Sequence, residues 1–161
     1  MKAKLGVAAL LVFGVVLLGY AYVRGYPPFA SQFVQTCEKA IKERLVVPSS
    51  YQRIAVDESR RTITFNEFFT DPLRATSEPT KKAMVQVARV APVQYVARIE
   101  YETQDSLGAP LRRTSTCTFN SREGDDAPSR TYWVVLDGEH NMEWAARQPN
   151  AATLVQRLLE H

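Results

Sequence analysis

The chain has 161 residues, 45% of them hydrophobic and 23% charged, and a formal net charge of +3. This length allows one domain of ordinary size plus a short appendage. The first 23 residues hold two lysines and no acidic residue, so 18 of the 20 basic side chains lie beyond them, against 17 acidic ones. This near balance is unlike the one-sided basic excess of nucleic-acid-binding proteins, so we expect no nucleic-acid partner.

Residues 5–23 form a run of 19 positions without a charge. As a helix, this run would be about 28 Å long, close to the ~30 Å hydrocarbon thickness of a bilayer. Lys2 and Lys4 precede it, which by the positive-inside tendency places the N-terminus in the cytoplasm. We therefore expect a transmembrane anchor over 1–24, a linker over 25–30 and a periplasmic domain over 31–161, at a bacterial inner membrane.

A cleaved secretory signal is the alternative for the same segment, since it shares the basic start and the apolar core. Against it, the apolar run is longer than the usual core of a signal peptide. The best small-x-small cleavage site, Gly19-Tyr20-Ala21, is also weak. Both interpretations export residues 24–161, and the lipid bilayer is a partner only in the first.

Residues 31–46 have the pattern of an amphipathic helix. Phe33, Cys37, Ile41 and Leu45 recur at every fourth position, which is the helical period. Ser31 is a suitable N-cap, and Pro48 ends the element. The opposite face is polar and includes Glu38 and Lys42, which we expect to pair as neighbours four residues apart.

Short segments with strand character follow this helix. Residues 51–58 and 61–69 alternate apolar and polar positions and predict two strands joined by a turn at Ser59-Arg60. Residues 70–82 contain two prolines and many polar side chains, which predict a loop. Residues 83–92 fit either a strand or a helix.

The strongest β pattern is a hairpin with its turn at Gly108. Its first strand, 93–103, places Val93, Tyr95, Ala97, Ile99 and Tyr101 on one face, and the second, 111–120, contains Cys117. Residues 131–138 predict a strand in the interior of the sheet, and 151–161 predict a short C-terminal helix. The fold class is therefore α+β: an amphipathic helix packed on an antiparallel sheet.

Cys37 and Cys117 are the two cysteines of the chain. Export places them in an oxidising compartment, and they allow one intramolecular pairing, so we expect a disulfide between the helix and the hairpin. Two buried free thiols and an intermolecular link are the alternatives. The chain has no C-x-x-C motif of a thiol-exchange catalyst.

Two stretches resemble a known group of proteins. "CEKAIKERLVVPSSYQRI" is similar to a Cys–helix–Leu-x-x-Pro-Ser-Ser pattern, and "YVARIEYETQDSLGAPLRRTSTCTF" resembles a hairpin that ends in Cys. Both recur in small bacterial exported domains. In the usual form of the hairpin an Asn precedes the turn, where this chain has Asp105. The resemblance supports the disulfide and the fold, and it implies no activity.

The sequence contains no arrangement of residues that is typical of catalysis, cofactor binding or metal binding. His140 and His161 have no partner at metal-ligand or triad spacing, so we expect His140 to be a surface loop residue. Some aromatic residues are candidates for a binding surface instead: core packing is the favoured interpretation for Phe68 and Phe69, core and partner surface are both open for Trp144, and Tyr101 would belong to a ligand-binding face of the sheet. The candidates are Trp144, Phe68, Phe69 and Tyr101.

These observations predict a membrane-anchored periplasmic domain that binds another envelope or membrane protein, as an accessory or assembly subunit of an envelope complex. The alternative is a periplasmic binding module for a small ligand or an envelope polymer. An enzyme is the least favoured class, because the sequence shows no catalytic motif.

Overall fold

The computed structural model describes residues 30–124, 128 and 130–160. They form an α+β domain with a five-stranded antiparallel sheet and one long helix against it. The predicted membrane segment, residues 5–23, and all of the predicted linker except Ala30 lie outside the described residues. Within the described part of the chain, no helix combines the length and the apolar character needed to cross a membrane.

The first helix, α1 (Gln32–Arg44), is confirmed close to its predicted span. Ser31 caps it, because its Oγ accepts a hydrogen bond from the backbone N–H of Val34 at 3.1 Å. The predicted apolar stripe faces the sheet and supplies one side of the core. Its buried members are Phe33, Val34, Cys37, Ala40 and Ile41.

The sequence predicts Glu38 on the solvated face of α1, and this prediction is wrong. Glu38 is buried, and its carboxylate accepts hydrogen bonds from Tyr51 Oη at 2.7 Å and from Arg53 Nε and Nη2 at 2.7 and 3.1 Å. The expected partner, Lys42, instead lies over the Tyr51 ring, with Nζ 4.8 Å from the centroid. A bidentate arginine satisfies a buried carboxylate better than a solvated lysine does.

The five strands follow one another both along the chain and across the sheet, and each is antiparallel to the next. They are β1 (Gln52–Thr62), β2 (Val93–Gln104), β3 (Pro110–Ser121), β4 (Val135–Leu136) and β5 (Glu139–His140).

The predicted hairpin is confirmed as β2 and β3, with Ala97 opposite Cys117. Asp105 shapes its turn: the carboxylate Oδ1 accepts hydrogen bonds from the backbone N–H groups of Leu107 and Ala109 at 2.8 and 2.9 Å. Gly108 adopts a φ of 83°, a conformation that glycine adopts without strain. Asp105 can therefore fill the role of the Asn in the hairpin pattern that the chain resembles.

The prediction of two strands over 51–58 and 61–69 is wrong. β1 is one strand that pairs with β2 through Ser59 and Arg60, so no turn forms there. The chain then enters a short helix, α2 (Phe65–Phe69). Thr64 and Glu67 form a reciprocal capping box, with backbone to side-chain hydrogen bonds of 2.8 and 3.2 Å, and this fixes a helix where the aromatic residues suggested a strand.

The predicted loop over 70–82 is also only partly correct. A 3₁₀ turn occupies Pro72–Arg74, and a further helix, α3 (Glu78–Val87), begins inside the segment. Pro79 is compatible with the first helical turn, where its missing N–H costs no hydrogen bond. The ambiguous segment 83–92 is therefore helical up to Val87.

The prediction of a strand over 131–138 is correct only for the two residues of β4. Thr131–Trp133 form a 3₁₀ turn before it, and Asp137 and Gly138, with φ of 55° and 84°, reverse the chain into β5. β4 still lies in the interior of the sheet, between β3 and β5. Two helices complete the chain, α4 (Asn141–Ala146) and the predicted C-terminal helix, α5 (Ala151–Glu160).

The disulfide between Cys37 and Cys117 is confirmed, with the two Cα atoms 6.0 Å apart. Both cysteines are fully buried in the core that α1 forms with the inner face of the sheet. The bond therefore joins the helix layer to the sheet layer through the centre of the domain.

Candidate functional site

The four aromatic residues predicted to contact a partner do not share one surface. Tyr101 and Phe68 are packed inside the domain, with 4% and 2% of their surface exposed. Phe69 and Trp144 are half-buried and keep part of each ring accessible. Of the four, Phe69 and Trp144 are therefore the ones that a partner could reach in this conformation.

Phe69 lies in a groove between α2 and α3, with a volume of about 280 Å³. We call it the α2–α3 groove. Its lining residues are Phe65, Asn66, Phe69, Glu78, Lys81, Lys82, Val85 and Gln86.

The floor of the α2–α3 groove is apolar. The ring centroids of Phe65 and Phe69 are 6.3 Å apart, and buried Phe68 meets Phe69 edge to face at 5.3 Å, which supports the half-buried Phe69 ring from the core side. Val85, on α3, has 44% of its surface exposed. An apolar side chain could therefore bind here between two rings and an aliphatic residue.

The rim of the groove carries a net positive charge, from two lysines against one glutamate. Lys81 Nζ lies 5.8 Å from the Phe69 ring centroid and 2.7 Å from Glu78 Oε1, and Lys82 is exposed beside it. The hydrogen bond from Lys81 lowers the pKa of the Glu78 carboxyl. A segment with an apolar side chain next to acidic ones would complement this surface in both shape and charge.

A second, more polar cleft of about 330 Å³ lies beside β5. At its wall, His140 Nε2 is 2.9 Å from Asp71 Oδ1, and both side chains are at least nine-tenths buried. The other ring nitrogen of His140, Nδ1, is buried and has no hydrogen-bond partner. The expectation that His140 is a surface loop residue is therefore wrong, because Asp71, distant in sequence, holds it inside the fold.

A hydrogen-bonded row of side chains forms part of the cleft's lining. Arg61 contacts Glu67 Oε1 through Nη1 and Gln94 Oε1 through Nε, each at 3.0 Å, and Gln94 donates to Asn120 Oδ1 at 3.1 Å. A hydrogen bond from the backbone of Thr64, joined by Arg61, lowers the pKa of Glu67. The cleft could hold a small polar ligand, and no described group of three or more His, Cys, Asp or Glu is placed to bind a metal ion.

Arg74 lies among three aromatic rings. Its guanidinium carbon is 4.4, 5.4 and 5.7 Å from the centroids of Trp133, Phe68 and Phe119, and Nη2 donates to the backbone oxygen of Asn120 at 3.3 Å. Burial lowers the pKa of this guanidinium. The Arg74 side chain itself fills this ring-lined space. Arg74 therefore belongs to the packing between the 3₁₀ turn at Pro72–Arg74 and the sheet.

Comparison with known proteins finds no matching family model, no matching curated protein and no matching solved structure. A functional interpretation therefore rests on the residues of the chain and their geometry.

Proposed function

We propose that the chain is a membrane-anchored periplasmic domain that binds another protein, as an accessory or assembly subunit of an envelope membrane complex. The uncharged run over 5–23 supports the anchor, because its length matches a bilayer. The buried disulfide supports export, because such bonds persist in oxidising compartments and are rare in the cytosol.

The observation that carries the proposal is the α2–α3 groove. Its volume, about 280 Å³, lies just under the range of about 300–1,000 Å³ typical of small-molecule pockets, and the groove is open rather than enclosed. Such a groove suits one bulky side chain of a protein partner. A partly accessible aromatic ring in a pocket surrounded by polar residues is typical of the anchor points of protein interfaces.

The partner that fits this surface is a membrane protein with an exposed apolar residue flanked by acidic side chains. The apolar residue would lie against Phe69 and Val85, and the acidic ones near Lys81 and Lys82. The lysines would steer the encounter, while the desolvated apolar contact would supply most of the affinity.

Site-specific photo-crosslinking in native membranes tests this proposal. A photoreactive residue at Gln86, on the rim of the groove, should form one dominant adduct with a membrane protein, and Phe69→Asp should abolish that adduct. The matched control is the same photoreactive residue at Leu107, which is 91% exposed at the hairpin turn. Equal adducts from both positions, or an adduct that survives Phe69→Asp, would exclude the groove as the binding surface.

The polar cleft favours a second candidate function, the binding of a small ligand or an envelope polymer. The observation that supports it is the polar lining of the cleft together with its volume of about 330 Å³, which lies within the range of about 300–1,000 Å³ typical of small-molecule pockets. Chemical-shift changes in full-length protein titrated with sugars, amino acids and short peptides would locate such binding. Shifts confined to the cleft and lost in His140→Ala would favour this candidate, and a cleft without shifts would count against it.

A further inference from the structure

The side of α3 away from the groove exposes a second apolar surface. It surrounds a cavity of about 450 Å³, and we call it the valine edge. Val87 and Val90 have 76% and 52% of their surface exposed. The residues of the valine edge are Met84, Val87, Ala88, Arg89, Val90, Arg122 and Glu123.

The valine edge is a concentration of apolar exposure rather than a scatter. Six large hydrophobic side chains are exposed in the described part of the chain, and two of them, Val87 and Val90, lie three positions apart on the valine edge. The helix that carries Val85 and Val87 buries none of its described side chains. Clustered exposure of this kind marks an interaction surface, whereas single exposed residues need no explanation.

The valine edge lies at the end of the domain where the described chain begins. Arg122 and Glu123 are followed by Gly124, whose backbone oxygen accepts a hydrogen bond from Tyr95 Oη. The Tyr95 ring in turn contacts Phe33, with centroids 5.5 Å apart, in the first turn of α1. A short chain of contacts therefore connects this surface to Ala30.

The opposite end of the hairpin points away from that region. β2 has 12 residues and runs from Val93, beside the valine edge, to Gln104, next to the turn. At about 3.3 Å per residue the turn lies roughly 40 Å away. Six residues, 24–29, separate the uncharged run from Ala30 and span at most about 21 Å when fully extended. A domain held by that run would keep the valine edge within reach of the bilayer surface.

Charge favours a lipid surface over an uncharged partner. The valine edge carries two basic side chains, Arg89 and Arg122, against one acidic side chain, Glu123. Glu123, the acidic residue of the surface, forms an ion pair with Arg122. Exposed aliphatic side chains beside arginine and lysine are the combination that binds the interface of an anionic bilayer.

We infer that the valine edge docks onto the anionic surface of the same bilayer that holds residues 5–23, with Val87 and Val90 in the headgroup region. This inference rests on the anchoring part of the proposed function. Docking would fix the orientation of the domain on the membrane and present the α2–α3 groove, on the other side of α3, to a neighbouring membrane protein.

Environment-sensitive labelling of the full-length protein in vesicles tests this inference. Because both native cysteines are in the disulfide, a Val87→Cys or Val90→Cys variant offers one thiol for a fluorophore. In vesicles containing phosphatidylglycerol, the fluorophore should shift to the blue and be quenched by lipid-borne nitroxide. The control, Leu107→Cys, should show neither effect. Arg89→Gln should shift the docking equilibrium about fivefold toward the undocked state, the share of one basic side chain at an anionic surface.

The other possible results distinguish a failure of the docking from a failure of the membrane anchor. If the protein floats with the vesicles, the membrane anchor is supported. If the label at residue 87 is then as exposed to water as the label at residue 107, the docking is overturned. If the protein does not float, the anchor is overturned together with the docking. A blue shift without lipid quenching would mean that a second copy covers the surface. Equal quenching in phosphatidylcholine vesicles would exclude the anionic surface as the determinant.

Discussion

Arg53→Ala should destabilise the domain far more than Arg112→Ala, although the two arginines make ion pairs of equal length. The Nε atom of each lies 2.7 Å from a carboxylate oxygen, of Glu38 in one pair and Glu100 in the other. The pairs differ in burial: the side chains of Arg53 and Glu38 are 12% and 10% exposed, and those of Arg112 and Glu100 are 62% and 34% exposed.

The magnitude follows from what each substitution leaves behind. Without Arg53, the buried Glu38 carboxylate keeps the hydrogen bond from Tyr51 and loses both bonds from the guanidinium. The Tyr51 hydroxyl is a donor at neutral pH even at its ordinary pKa, and burial, with the bond to Glu38, raises that pKa further. Breaking a buried pair costs about 3–5 kcal/mol, whereas an exposed pair contributes about 0–1 kcal/mol. Against a total stability of about 5–15 kcal/mol, only the first loss is large.

Urea unfolding of the full-length protein in detergent, followed by circular dichroism, measures the difference. With an m-value of about 2 kcal/mol/M, Arg53→Ala should lower the midpoint by about 2 M and Arg112→Ala by less than about 0.5 M. The m-values should not change. If the two midpoints differ by less than about 0.5 M, the Glu38–Arg53 pair is not the buried, mutually dependent pair that this reasoning requires.

Three further predictions concern other buried groups. The Cys37→Ser/Cys117→Ser double variant should lose about 4.5 kcal/mol of unfolding free energy in urea, since the bond closes a loop of 80 residues; stability equal to the wild type would contradict this. Arg74→Ala should lose about 2 kcal/mol in thermal unfolding and Arg74→Lys should recover only part of it, because lysine cannot stack on the rings; full recovery by lysine would refute the role of stacking. Burial raises the pKa of the Glu43 carboxyl, on α1, so the folded chain binds the proton of this carboxyl more tightly than the unfolded chain does. The stability of the wild type relative to Glu43→Gln should therefore increase as the pH falls from 7 toward 4.5, and a flat difference in urea midpoints would contradict that sign.

The parts of the fold that the sequence predicts are those with a strong local pattern. The four-residue spacing of α1 and the alternation along β2 each specify which face is buried, and their pairing follows once one face of each is apolar. The disulfide was predictable because two cysteines allow one intramolecular bond. In the turn, Asp105 and Gly108 have the side chain and the backbone freedom that their positions require.

The wrong predictions of secondary structure arise where a short apolar run fits both the helical period and the strand period. Residues 65–69 have the aromatic content of a strand, and the decisive signal was the capping box formed by Thr64 and Glu67. In the resulting helix, neighbouring Phe68 and Phe69 point in different directions, so one is buried and the other lies in the groove. No single-sequence pattern separates these two residues.

Long-range polar pairs are the features that the sequence could not predict. Asp71 and His140 are brought together by the whole fold, since Asp71 precedes the 3₁₀ turn at Pro72–Arg74 and His140 ends a two-residue strand. The sequence places Glu38 on a solvated face of α1, because a carboxylate on the polar side of an amphipathic helix usually is solvated. Its burial depends on Arg53, a residue of β1 that the helix pattern alone does not reveal.

Quantitative cross-linking mass spectrometry on native membranes, with a lysine-reactive reagent and the full-length chain, tests the central claim most directly. The chain carries its own control, because Lys81 and Lys82 flank the α2–α3 groove while Lys39 and Lys42 lie on α1. We predict stoichiometric links from Lys81 and Lys82 to one membrane protein, and few from Lys39 and Lys42. Links only within the chain, or links to other proteins spread equally over the four lysines, would contradict a partner-binding function for this groove.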